Sequence, residues 1–119
     1  MDDHAKVLLE NGGVDVQSLL DRCMGSEPLL LRLLNKFPAD ATYTRLSSAM
    51  EAKDATAALE ASHTLKGVCG NLSLTRLFAL LDKQVQALRA GDMAGAQELM
   101  PHIAQAHATA LRAIEESQR

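Results

Sequence analysis

Residues 55–72 read ATAALEASHTLKGVCGNL, and their apolar residues recur at the spacing of an α-helix. Six of its residues fall on one side of a helical wheel drawn at about 100° per residue: Ala58, Ala61, Leu65, Val68, Cys69 and Leu72. Such a stripe predicts a helix with one face buried against other helices. His63 lies on the opposite side of the wheel, so its side chain is predicted to be exposed.

The sequence before this helix is divided by residues that end helices. An Asn-Gly-Gly run ends a predicted helix over 5–10, and Gly25 ends a second over 15–24. Ser26 is the predicted N-cap of the helix that follows. Pro38 should kink or split that helix, because proline lacks a backbone N–H and crowds the preceding turn.

Turn residues also divide the sequence around and after residues 55–72. Asp54 is the predicted N-cap of that helix, and Ser73 is the candidate cap of a helix over 74–90. A Gly-Asp pair ending at Asp92 then precedes a last helix over 93–116. Long helices joined by loops of two to five residues pack as antiparallel neighbours. The predicted fold is therefore all-α, an up-down antiparallel four-helix bundle with one or two short N-terminal helices.

The composition favours helices and an aliphatic core. The 119 residues include 19 alanines and 20 leucines, against 13 residues of Val, Ile and Thr combined. Aromatic residues make up only 3% of the chain, so aliphatic side chains must fill the core. We expect one domain over residues 1–119, without room for an ATP-binding domain beside it. Chemistry that uses phosphate must then take it from a partner.

Charge and cysteine patterns exclude several classes of protein. Twelve basic and 15 acidic residues give a net charge of −3, with no basic stripe that would bind nucleic acid. No apolar run approaches the roughly 18–20 residues of a membrane helix, and acidic residues follow Met1 where a signal peptide is basic. The two cysteines are isolated, which fits a reducing compartment. We therefore expect a cytoplasmic protein with no membrane insertion.

Four residues lie near His63 on the wheel: Leu59, Lys66, Gly67 and Gly70. A glycine inside a helix costs about 0.8–1 kcal/mol relative to alanine, and neither glycine lies on the predicted core face. Their expected use is a bare surface, across which another protein can approach the imidazole. Lys66, one turn beyond His63, would place a positive charge near a phosphate on the ring. Leu59 would add an apolar contact to such a docking surface.

The run from His63 through Lys66-Gly67 to Gly70-Asn-Leu resembles the His-x-x-Lys-Gly signature of histidine-containing phosphotransfer (Hpt) domains. The likeness extends to the turns at 51–54 and 89–92. It implies a four-helix bundle whose exposed histidine carries a phosphoryl group between aspartates of response-regulator receiver domains. In that family His63 would be the phosphoacceptor, Lys66 would stabilise the phosphate charge, and Gly67 would be the gap that admits the receiver.

The resemblance leaves two positions open. Members of the family often have a polar residue on the next helix that hydrogen-bonds the imidazole, and Gln84 and Gln86 are both candidates for this role or for receiver docking. The family commonly has a glycine at the position after Leu72-Ser73, where this chain has Leu74. We expect Ser73 to make the equivalent turn.

The resemblance also implies the partners. Receiver domains, carrying their own Mg²⁺, and a hybrid sensor kinase would exchange phosphate with a monomeric Hpt domain in the cytoplasm. The chain would be freestanding or the C-terminal module of a hybrid kinase, and a phosphocarrier rather than an enzyme. Two alternatives keep the same fold. One is a helical adaptor that binds a receiver or kinase without passing phosphate, and the other is a phosphoacceptor domain of the chemotaxis-kinase type.

Other groups of histidine and cysteine point to no site. Glu60 and His63 have the Glu-x-x-His spacing of di-iron bundles, but the chain has no second such pair. His102 and His107 do not share a helix face, and His107 falls in an apolar stripe where it is predicted to pack in the core. Cys69 lies on the core side of its helix, away from His63. The sequence therefore predicts no metal and no cofactor.

Overall fold

Seven α-helices and one 3₁₀ turn make up the computed structural model, which describes residues 1–119. The helices are α1 (Asp3–Asn11), α2 (Val16–Arg22), α3 (Glu27–Leu34), α4 (Thr42–Glu51), α5 (Ala55–Asn71), α6 (Thr75–Arg89) and α7 (Met93–Glu116). Each of α5, α6 and α7 packs against the helix before it in the chain. The predicted all-α bundle is confirmed.

Side-chain caps begin three of the predicted helices. The side-chain oxygens of Ser26, Asp54 and Asp92 each accept a hydrogen bond from the backbone N–H three residues later. The prediction that Ser73 caps α6 is wrong, because Leu74 occupies that position and makes no side-chain capping bond. Ser73 instead has a positive φ of 54°, and its hydroxyl donates to Ser18 Oγ at 3.1 Å. Ser73 therefore makes the left-handed turn between α5 and α6, which is the equivalent turn work expected of it.

Pro38 splits the predicted helix in two. Of the two outcomes predicted for this proline, a kink or a split, the structure shows the split. The chain leaves α3 after Leu34 and passes through a 3₁₀ turn at Phe37–Ala39. It then starts α4 two residues beyond Asp40. The Phe37 side chain is fully buried at this break, so the turn contributes to the core.

Contacts between α4 and α7 close the bundle. Gln97 Nε2 on α7 donates to the backbone oxygen of Met50 on α4 at 2.8 Å. The ring of His107 stacks on Tyr43 with centroids 4.0 Å apart and an angle of 8° between the planes. It also meets Phe37 edge-on at 5.5 Å. The prediction that His107 is a packed structural residue is confirmed.

Helix α1 and the loop that follows it are fastened to the bundle. A Cβ placed on Gly12 would overlap sterically with the methyl group of Ala113. Only glycine therefore fits where α1 meets α7. Val14 and Leu74 then form an isolated antiparallel bridge. The backbone N–H of Asp15 donates to Ser73 O at 2.8 Å within this contact. The N-terminal helices thereby hold the turn between α5 and α6.

The predicted core face of α5 is confirmed. Five of its six residues are buried and the sixth is half-buried against the core: Ala58, Ala61, Leu65, Cys69 and Leu72, with Val68. Burial raises the pKa of the Cys69 thiol to about 12, and the negative charge of Asp40 adds to that rise. The thiol therefore stays protonated and packs as a small apolar group.

The stacked His107 should make stability depend on pH. Burial lowers its pKa below the ordinary value of 6.5, and the charge of Asp40 opposes that shift. The unfolded chain then binds a proton more readily than the folded chain. The stabilising contribution is complete above about pH 7 and is lost as pH falls through 6.5, by at most about 1.4 kcal/mol per pH unit.

Urea unfolding between pH 5 and 8 measures this effect by comparing wild type with His107→Phe, which keeps an aromatic ring on Tyr43. We expect the free energy of unfolding of the wild type to fall more steeply below pH 6.5 than that of the variant. Two curves that stay parallel over the whole range would refute the assignment to His107.

The turns after α4 and after α6 have the same geometry, with a lysine at the left-handed position of the first turn and a glycine at the same position of the second. Lys53 and Gly91 have positive φ angles of 54° and 75°. In both turns the next N–H, from Asp54 or Asp92, bonds a carbonyl five residues back. The similarity of the sequence at 51–54 and 89–92 thus reflects equivalent helix ends.

Lys53→Gly should stabilise the protein by about 0.5–1 kcal/mol. It removes a left-handed strain of about 1–2 kcal/mol, and the greater freedom of glycine in the unfolded chain offsets part of the gain. Thermal unfolding measures the change. The reciprocal Gly91→Lys should lower Tm, and a Lys53→Gly protein no more stable than wild type would contradict the argument.

Candidate functional site

The candidate site lies on the solvent face of α5. His63 is exposed in the middle of this 17-residue helix, which Asp54 caps at its start. Ser62, directly before His63, is completely buried. Because the opposite face of α5 is packed in the core, the helix presents His63 to solvent from a fixed backbone.

The two glycines beside His63 have different surroundings. A Cβ on Gly67 would meet nothing within 4 Å, so this position is open surface. A Cβ on Gly70 would lie 3.2 Å from the ring of Phe78, tighter than an ordinary contact. The expectation of bare surface at Gly70 is therefore wrong, because the Phe78 ring from α6 covers it. The absent side chain at Gly70 lets that ring pack close to α5.

Lys66 extends across to α6. Its Nζ lies 3.4 Å from Asp82 Oδ1 and 6.0 Å from the centroid of the Phe78 ring. The side chain is 19% exposed. The positive charge that the sequence places one turn from His63 is thus paired with a carboxylate on the neighbouring helix.

Gln84 takes neither of the roles that the sequence offered for it. It is completely buried, so it cannot contact a docked protein. Its Oε1 accepts a hydrogen bond from Ser62 Oγ at 2.8 Å, and its Nε2 donates to Ala96 O at 3.1 Å and to Met100 Sδ at 3.1 Å. The amide is therefore satisfied within the core, where it ties α5 to α6 and α7 beneath His63.

Gln86 lies on the exposed face of α6. Its Nε2 donates to Asp82 Oδ2 at 2.9 Å, one turn earlier on the same helix. The amide thus orients the carboxylate that holds Lys66, and the imidazole is not its partner. Its exposure leaves it available to a docked protein.

Two apolar side chains flank this face. Leu59 is half-buried and packs against the core, so only part of it is free for contact. Phe78 is 39% exposed, one of the few large apolar side chains that face solvent. Phe78 was not among the site residues predicted from the sequence. The sequence could have indicated that Phe78 is exposed, because this residue lies off the buried stripe of α6, which runs through Leu77, Leu81 and Leu88.

Two further features bear on the class of protein. No three or more His, Cys, Asp or Glu side chains lie close enough together to hold a metal ion. None of the helices combines the length and the apolar character that crossing a membrane requires.

Residues 38–116 match the family model of the Hpt domain. The chain belongs to the Hpt domain family. Hpt domains carry out histidine phosphotransfer in two-component signalling and interact with receiver domains and kinases. They are phosphocarriers rather than classical enzymes. The matched segment runs from the 3₁₀ turn through α7, so α1, α2 and α3 lie outside it.

Neither curated proteins nor solved structures gave a match to this chain.

Proposed function

We propose that this Hpt domain is a phosphorelay intermediate in which His63 accepts a phosphoryl group from the aspartate of one receiver domain and passes it to another. The observation that carries the proposal is the exposed imidazole on a packed helix, beside the open surface at Gly67. A receiver can bring its aspartyl phosphate against such a histidine without displacing any side chain at position 67.

The chemistry requires little from the Hpt domain. A neutral imidazole is nucleophilic near pH 7, so an exposed histidine needs no adjacent base. A nitrogen of His63 forms a bond to phosphorus as the bond between phosphorus and the aspartyl oxygen breaks, and the aspartate leaves as a carboxylate. The reverse sequence delivers the group to the next receiver. The receiver would supply Mg²⁺ and the phosphate-binding residues, so that catalysis consists mainly of positioning and charge neutralisation.

We name the docking surface the His63 face and define it by Leu59, His63, Gly67, Phe78 and Gln86. Leu59, half-buried one turn before His63, and the exposed ring of Phe78, which lies over Gly70, supply apolar area. Aromatic anchors contribute strongly where proteins dock. Gln86 supplies a polar group at the edge of this area.

Transfer from phosphorylated receiver domains tests the proposal. Each receiver is phosphorylated, mixed with the Hpt domain, and ranked by the initial rate at which label appears on the chain. The label should be acid-labile and alkali-stable, as expected for phosphohistidine. Binding without label would indicate the adaptor instead. Label that comes only from an ATP-binding kinase domain would indicate the chemotaxis-kinase type.

A further inference from the structure

The pairing of Lys66 with Asp82 links the candidate site to the neighbouring helix. The chain has three ion pairs, and this is the one that joins two helices of the α4–α7 bundle. Lys66 is the more buried partner, at 19% exposure against 42% for Asp82. The ammonium group also lies over the ring of Phe78, 6.0 Å from its centroid.

Asp82 is itself held in place. One carboxylate oxygen accepts from Lys66 and the other accepts from Gln86 Nε2 at 2.9 Å. A carboxylate bonded on both oxygens keeps its orientation, so it is a defined acceptor for the ammonium group.

A phosphoryl group on His63 would offer a second anion to the same ammonium group. Lys66 follows His63 by three residues on α5, a spacing that brings two side chains together on a helix surface. Asp82 approaches the lysine from the neighbouring helix α6, where it follows Phe78 by four residues. The ammonium group that pairs with a permanent carboxylate thus belongs to a side chain whose helical spacing also brings it near a transient phosphate on His63.

We propose that Asp82 competes with the phosphoryl group on His63 for Lys66 and thereby lowers the equilibrium stability of the phosphorylated domain. Asp82 is a positioning residue, which acts through the lysine without touching the imidazole. The inference rests on the proposed function of His63. Its consequence is a phosphohistidine that gives up its phosphoryl group more readily, as a domain that must pass the group on requires.

The test loads His63 chemically and uses no receiver. Phosphoramidate transfers its phosphoryl group to the imidazole, the phosphorus–nitrogen bond of the donor breaks, and ammonia leaves as ammonium. The equilibrium constant for this exchange is measured by ³¹P NMR at fixed phosphoramidate and ammonium concentrations, approached from both directions. The signal of His63 is identified by its absence in His63→Gln.

Asp82→Asn should raise this constant about two- to fivefold, the range expected for an ion pair that is partly exposed. The matched control is Glu60→Gln, which removes one negative charge three residues before His63 on an exposed position of α5. It should leave the constant nearly unchanged. An equal rise in both variants would show a general charge effect and overturn the proposal.

A double-mutant cycle shows whether the effect passes through the lysine. Lys66→Gln should lower the constant, and adding Asp82→Asn to that background should have no further effect. A rise that persists without Lys66, or no rise in Asp82→Asn alone, would overturn the inference. So would a wild-type chain that phosphoramidate does not load at His63. No receiver takes part in this equilibrium. The proposal about Asp82 and the proposal that receivers phosphorylate His63 are therefore tested by separate assays, and each can fail without the other.

Discussion

His63→Gln should remove the phosphoryl label that wild type takes from a phosphorylated receiver. We expect a loss of at least about 100-fold in the rate of transfer, because the covalent step has no second nucleophile on the His63 face. The side chain is exposed, so the substitution should change the free energy of unfolding by no more than about 0.5 kcal/mol. Initial rates with radiolabelled receiver, together with thermal unfolding, measure both quantities.

The chain supplies a matched control for this experiment. His102→Gln replaces another exposed histidine, on α7 and outside the His63 face. This variant should take label at the wild-type rate. Label that persists in His63→Gln, or is lost in His102→Gln, would show that the phosphoacceptor is not His63.

Gly67→Gln should separate transfer from stability. A glutamine at this open position would project into the space that we assign to the receiver. Transfer should slow by about 10- to 100-fold, because the side chain would hold the receiver's aspartyl phosphate away from the imidazole. The same substitution removes a glycine from the interior of α5, which should stabilise the helix by up to about 1 kcal/mol. Transfer rate and Tm are therefore expected to move in opposite directions.

Gly67→Ala provides the control for side-chain size. Its single methyl group meets nothing within 4 Å in the free domain, and it gives the same kind of helix stabilisation with far less volume. Transfer by this variant should stay near the wild-type rate. If Gly67→Gln transfers as fast as Gly67→Ala, the glycine is not a gap for the receiver.

The four-helix architecture and the outward direction of His63 could be predicted because they depend on local interactions. The wheel drawn for residues 55–72 gives each side chain an angle about its own helix axis. The caps at Ser26, Asp54 and Asp92 involve a side chain and a backbone group three residues apart. Such short-range patterns survive in any packing of the helices.

Contacts between helices depend on how α6 is rotated and shifted against α5, which the pattern of one helix does not contain. This rotation places Gln84 in the core against Ser62 and leaves Gln86 outside, although both glutamines looked equally suited from the sequence. It also lays Phe78 over Gly70, which no side chain on α5 could have indicated.

The bundle and the outward-facing histidine could be predicted from the sequence, since periodicity and capping act within a few residues of chain. The surroundings of that histidine depend instead on how the helices pack against one another. Lys66 and Asp82 are 16 residues apart, and their pairing follows from two helices packing side by side. The charge available to a phosphate on His63 is therefore a property of the α5–α6 interface, because the carboxylate that competes for it comes from the other helix.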